Sequence, residues 1–98
     1  MNDINCENIE QVRSNIDRID NEIVKLISER SKYVKQAAKF KKDDNAVKDT
    51  KRVEQVIEKV KKLGEEYGLA PDIVESVYRV MISSFIDYEL KEHKKTKE

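Results

Sequence analysis

The chain has little of what most catalytic chemistry or cross-linking requires. Among its 98 residues are one cysteine, one histidine, one proline and two glycines, and tryptophan is absent. A lone Cys6 excludes an internal disulfide, and its place near the terminus argues against a structural role. No His, Cys or Asp/Glu cluster has metal-ligand spacing, no glycine-rich loop is available to cradle a phosphate, and no Ser–His pair is evident. The expectation is therefore a protein without metal or other cofactor. Net charge is missing too. Twenty acidic and twenty basic side chains cancel, so no overall field draws the chain to nucleic acid or to an anionic membrane. No apolar run approaches the roughly 20 residues of a membrane span. The opening Met1-Asn2-Asp3-Ile4-Asn5 lacks the basic start and apolar core of a signal peptide. The expected compartment is a reducing cytoplasm.

What is present is charge and helical periodicity. Charged residues make up 41% and aromatics 6% of the chain, the profile of long solvated helices rather than of a sheet protein. The expected architecture is all-α, one domain over residues 1–98, with three helices, a core region of about 9–90 and a charged tail at 91–98 that frays. The first helix is read from about Asn8 to Lys42, with Asn8 as N-cap and Gln11 completing a variant capping box. Lys42-Asp43-Asp44-Asn45 reads as a polar break. The second helix runs from Asp49 to Tyr67, with a Val53, Val56, Ile57, Val60, Leu63 stripe and Gly68 as its C′ residue. Pro71 suits the first position of a third helix, with Asp72 at the positive end of its dipole. That helix, read to about His93, is apolar over most of its circumference and calls for partners on several sides.

On the first helix Ile9, Val12, Ile16, Ile19, Ile23, Leu26, Ile27, Val34 and Ala37 fall within an arc of roughly 100°. Arg30 and Lys41 fall inside that arc, three turns apart, whereas every other charged residue from Asp17 to Lys39 lies outside it. Cations on a buried stripe cost several kcal/mol each unless anions meet them. A helix of this length, about 50 Å, overshoots a globule whose radius of gyration is near 13 Å. Covering its stripe calls for a second copy, so a homodimer of long helices is expected. Arg13 lies on the shoulder of the stripe and Arg52 at the edge of the second helix's stripe. On the third helix Tyr78, Ile82, Phe85 and Glu89 form one row. Desolvation there favours a neutral Glu89 unless a cation sits beside it.

Two readings compete. Arg30 could pair with Glu89, and Lys41 with Asp49, as internal ion pairs of a purely structural dimer. Against this, Arg13, Arg30, Lys41 and Arg52 outnumber the one clearly inward carboxylate, which suggests a small polyanionic ligand held by arginine forks. The exposed Lys32, Lys35, Lys39, Lys59, Lys61 and Lys62 are a solvated face, and His93 stands alone in the tail.

Arg13 before Ile16-Asp17-Arg18-Ile19-Asp20, then Arg30, Lys39-Phe40-Lys41, Asp49-Thr50-Lys51-Arg52 and Glu89, resembles the all-helical chorismate mutase family from about Ile9 to Leu90. The resemblance implies an intertwined dimer of three-helix chains with two equivalent sites. It implies that Arg30 binds a substrate carboxylate, that Arg13 does so from the partner chain, and that Lys41 meets the enolpyruvyl carboxylate and the ether oxygen. Arg52 would add positive charge, Asp49 would hold the ring hydroxyl and Glu89 would face the ether oxygen. The implied reaction, chorismate to prephenate, is pericyclic. It needs only the folded conformer to be held and the charge on the ether oxygen to be stabilised. Glu89 donates a hydrogen bond only when protonated, whereas many family members carry glutamine there, so activity is expected to fall as pH rises through its titration. Val53 stands where a glutamate is frequent and Phe85 where a serine is common. The segment Tyr33 to Lys41 looks more like the sister branch of isochorismate pyruvate lyases, whereas Asp49 favours the mutases. An amino-substituted chorismate is a further candidate substrate.

Overall fold

A computed structural model describes residues 5–97, leaving aside the side chains of His93, Thr96 and Lys97. The expectations placed on Met1-Asn2-Asp3-Ile4, on the His93 side chain and on Glu98 lie outside the described residues. Among the described residues every regular element is helical: α1 (Ile9–Ala38), α2 (Asp44–Lys48), α3 (Thr50–Glu66) and α4 (Pro71–Lys97). The three long helices are those expected, and the short α2 is additional. The chain divides into two compact units, Met1–Lys32 and Tyr33–Glu98.

In the first unit α1 starts where expected. Asn8 Oδ1 accepts the Gln11 backbone N–H at 2.9 Å, and Gln11 Oε1 accepts the Glu7 backbone N–H at 2.9 Å. Two donors of the first turn are thereby satisfied. Cys6, expected to have no structural role, is half-buried and accepts from Asn15 Nδ2 at 3.7 Å, so it packs on the start of this helix. The apolar stripe of this unit is not covered. Exposure along it runs from 36% at Ile27 to 59% at Leu26, with Ile16, Ile19 and Ile23 between.

The second unit is built on α3 and α4, which run antiparallel. Lys61 pairs with Glu75 and Glu54 with Arg79, so ascending positions on one helix meet descending positions on the other. The turn between them is a Schellman motif: Leu69 N–H donates to Gly64 O at 2.8 Å and Gly68 N–H to Glu65 O at 3.2 Å. Gly68 sits at φ 76°, the left-handed conformation that glycine adopts without strain, as the C′ assignment requires. Gly64 lets the two helices touch, since a Cβ there would stand 2.6 Å from Val74 Cγ2. Ile57, Val60, Val74 and Ile82 are buried between α3 and α4, joined by Val47 from α2 and Ala38 from the end of α1. At about 1.5–3 kcal/mol for each large aliphatic side chain, this is a thin core. The other side of α4 shows Ile73, Val77, Val80 and Tyr88 to solvent.

Three boundaries differ from the sequence reading. Helix α1 ends at Ala38 rather than Lys42. Lys39, Phe40 and Lys41 donate to Gln36, Ala37 and Ala38, three residues back, so the last turn tightens and unwinds. The supposed polar break at 42–45 runs into α2, whose N-cap Asp43 accepts from Ala46 N–H at 2.9 Å. Helix α4 continues to Lys97 instead of ending near His93, and Lys95 and Glu92 form an (i, i+3) pair at 3.8 Å. Straight-chain Lys and Glu lose little rotamer freedom in a helix, and in this stretch that preference prevails.

Candidate active site

The end of α1 at Ala38 removes Lys41 from the helical stripe on which the sequence reading placed it. Its ammonium instead reaches two other elements. Lys41 Nζ lies 3.0 Å from Glu89 Oε2 on α4 and donates to the Ala46 carbonyl of α2 at 3.4 Å. Glu89 is the buried charged residue of this core, 7% exposed, and its Oε2 is withdrawn from solvent. The expected row on α4 is therefore present, with Ile82 and Glu89 buried and Tyr78 and Phe85 half-buried. The cation that such a carboxylate calls for is Lys41. The internal pairs weighed from sequence, Arg30 with Glu89 and Lys41 with Asp49, are replaced for Lys41 by this pair.

Asp49 is exposed and serves as the N-cap of α3, its Oδ1 accepting the Arg52 backbone N–H at 3.1 Å. Its side chain is thus placed by helix initiation. The cap ties Asp49 to the backbone of Arg52, whose side chain is exposed. Lys41 and Glu89 are brought into contact, and Asp49 and Arg52 are linked at the start of α3. In the first unit Arg30 is half-buried, with Nη1 withdrawn from solvent, and Arg13 is exposed. Of the four cations expected at stripe or stripe-edge positions, Arg30 and Lys41, both read inside the stripe, are partly withdrawn from water, and Arg13 and Arg52, both read at its margin, are exposed.

Phe85 and Tyr88 meet edge to face on α4, ring centroids 6.2 Å apart. Val53 is half-buried on α3. The positions where the resemblance expects a glutamate and a serine therefore contribute apolar surface.

A second ionic cluster was not read from sequence. Arg79 grips Glu54 with both terminal nitrogens, at 2.9 and 3.0 Å, and donates through Nε to Glu75 at 2.8 Å. Glu75 also faces Lys61 at 3.5 Å. Hydrogen bonds from Arg79 hold both carboxyls below their ordinary value of 4.5, and those carboxylates raise Arg79 above its own. The (i, i+4) spacing of Glu75 and Arg79 was a usable signal for half of this cluster; the Glu54 half depends on the helix–helix register. An open groove of about 620 Å³ follows α3, lined by Lys51, Glu54, Gln55, Glu58, Lys59 and Lys62. None of the candidate site residues lines it.

Among the described residues no group of three or more His, Cys, Asp or Glu side chains could hold a metal ion, and no helix is long and apolar enough to cross a membrane. What the second unit offers is one ion pair on a half-dry row and a capped helix start. Comparison with curated proteins gives no match. Comparison with protein families does: the profile described as chorismate mutase type II matches residues 12–90, an interval containing Arg13, Arg30, Lys41, Asp49, Arg52 and Glu89. The chain belongs to the chorismate mutase type II family.

Proposed function

We propose that this protein is a dimeric, cytoplasmic chorismate mutase, converting chorismate to prephenate by clamping a dicarboxylate with cations and polarising its ether oxygen. The observation that carries the reading is the Lys41–Glu89 pair at 3.0 Å, both members on partly or fully buried positions of a chain in that family. In the reaction the ether C–O bond breaks as a C–C bond forms, and no proton, electron or group is exchanged with the protein. An ammonium beside the ether oxygen lowers the barrier by meeting the charge that develops there. Lys41 takes that role. Glu89, when protonated, donates a second hydrogen bond to the same oxygen. Arg30, and Arg13 from the partner chain, bind the carboxylates, Asp49 the ring hydroxyl, and Arg52 adds positive potential.

A second copy completes the protein. The first unit exposes Ile16, Ile19, Ile23 and Leu26, and α4 exposes Ile73, Val77 and Val80. Apolar rows of that length are covered in a stable oligomer.

The Tyr33 to Lys41 segment favours a second reading, elimination of pyruvate from isochorismate to leave salicylate. Incubating the pure protein with chorismate and, separately, with isochorismate separates the two. Prephenate from chorismate supports the proposal; salicylate and pyruvate from isochorismate, with chorismate untouched, overturn it in favour of the lyase. Inertness towards both would leave a structural dimer.

A further inference from the structure

The Lys41 backbone lies beyond the helical ladder of α1, so something other than that helix must fix its ammonium. We propose that Asp43 is a positioning residue for Lys41, acting through α2. The inference rests on the mutase reading, in which the placement of this ammonium sets the rate. Two acceptors on different elements hold it: Glu89 Oε2 at 3.0 Å and the Ala46 carbonyl at 3.4 Å. Ala46 is itself tied down, its N–H donating to Asp43 Oδ1 at 2.9 Å. Asp43 is extended, φ −156° and ψ −179°, the backbone shape of an N-cap, and its carbonyl accepts from Val47 N–H at 3.3 Å. Val47 is 4% exposed and seats α2 against α4.

A five-residue helix is far too short to persist on its own hydrogen bonds. Its survival depends on the cap at one end and on the buried valine. Without the Asp43 carboxylate the first turn loses its anchor and the Ala46 carbonyl drifts from Lys41. Lys41 then keeps its contact with Glu89 but loses the acceptor that aims it from the α2 side. A displacement of about 1 Å at a catalytic group can cost on the order of a hundredfold in rate.

The test compares Asp43→Ala, Asp43→Asn and, as an unrelated destabilised control, Gly68→Ala. Each is assayed for kcat and KM on chorismate, for melting temperature, and for the ¹³Cε signal of Lys41 in protein labelled at lysine. The expected result is a kcat loss of about tenfold or more in Asp43→Ala with KM changed by less than about threefold. Its Lys41 signal moves, whereas Asp43→Asn, which keeps a capping oxygen, restores both rate and signal. Gly68→Ala melts earlier with kcat unchanged. Wild-type kcat in Asp43→Ala, or an equal kcat loss in Gly68→Ala, would overturn the proposal. The Lys41 signal is read without substrate, so it decides the positioning claim even if the wild type turns over neither chorismate nor isochorismate. In that case the functional reading fails by itself, and an unmoved signal in Asp43→Ala sinks the positioning claim separately. If Asp43→Ala does not fold, Asp43→Ser, a weaker reach to the same N–H, takes its place under the same criteria.

Discussion

Lys41 and Glu89 meet at 3.0 Å from opposite ends of the second unit, one just past α1 and the other near the end of α4. Removing the cation strands a carboxylate that is 7% exposed. Lys41→Ala is therefore expected to destabilise the protein by about 1–3 kcal/mol in urea unfolding, less than the 3–5 kcal/mol of a fully buried pair because the lysine side chain keeps 30% of its exposure. Adding Glu89→Gln to Lys41→Ala should recover much of that loss, since the remaining amide carries no charge. A double variant as unstable as Lys41→Ala alone would contradict the pairing.

The pair also bears on turnover. In the proposed reaction Glu89 donates a hydrogen bond to the ether oxygen, so Glu89→Gln, a donor of similar shape, should keep turnover of chorismate, whereas Glu89→Leu, which donates nothing, should lose about tenfold or more. Equal turnover by the two variants would remove Glu89 from the mechanism.

Gly64 is a point of close approach between α3 and α4. Gly64→Ala would place a methyl 2.6 Å from Val74 Cγ2 and is expected to cost about 1–3 kcal/mol in thermal melts. Gly64→Ala combined with Val74→Ala should cost less than the sum of the two single changes, because Val74→Ala opens the room that the added methyl fills. Additive losses would show that the contact is not tight.

Arg79 makes stability sensitive to acid. Glu54 and Glu75 have lowered folded-state values, so their contribution is present above the unfolded value near 4.5 and is lost as pH falls below it through the lower folded values. The sign for Arg79 is opposite, its loss falling only at extreme alkaline pH. Arg79→Ala should lower the melting temperature at pH 7 and narrow the gap to wild type as the pH is taken below 4.5. High salt should shrink the same gap, because all three groups are at the surface. A gap independent of pH and salt would mean that Arg79 acts by packing alone.

The parts of this fold legible in the sequence are those set by short-range rules. Asn8 with Gln11, Asp49, Gly68 and Pro71 mark helix ends through hydrogen bonds and backbone preferences that involve only near neighbours. The inward rows of α3 and α4, Glu89 included, follow from helical period. What escaped was decided by contacts between elements. Lys39-Phe40-Lys41 favours helix by propensity, but the backbone leaves the helix at Ala38, and Lys41 meets Glu89 and Ala46. Asp43 falls in what the sequence presents as a polar break, and only the fold shows that it caps α2 through the Ala46 N–H. Asp49, weighed from sequence as an alternative partner of Lys41, caps α3, and Lys41 meets Glu89. Of the site residues, Lys41 meets Glu89 and Asp49 caps the helix start at Arg52, whereas the roles of Arg13 and Arg30 rest on sequence position and family membership.

In the proposed function Arg30 clamps a diacid rather than holding the fold together, and Arg30→Ala tests this most directly. Steady-state turnover of chorismate by this variant should fall by several orders of magnitude, given that a lost charge-assisted carboxylate clamp removes several kcal/mol from the transition state. The variant should still fold and melt cooperatively. Turnover close to wild type, or a fold that collapses with the loss of the guanidinium, would contradict the account.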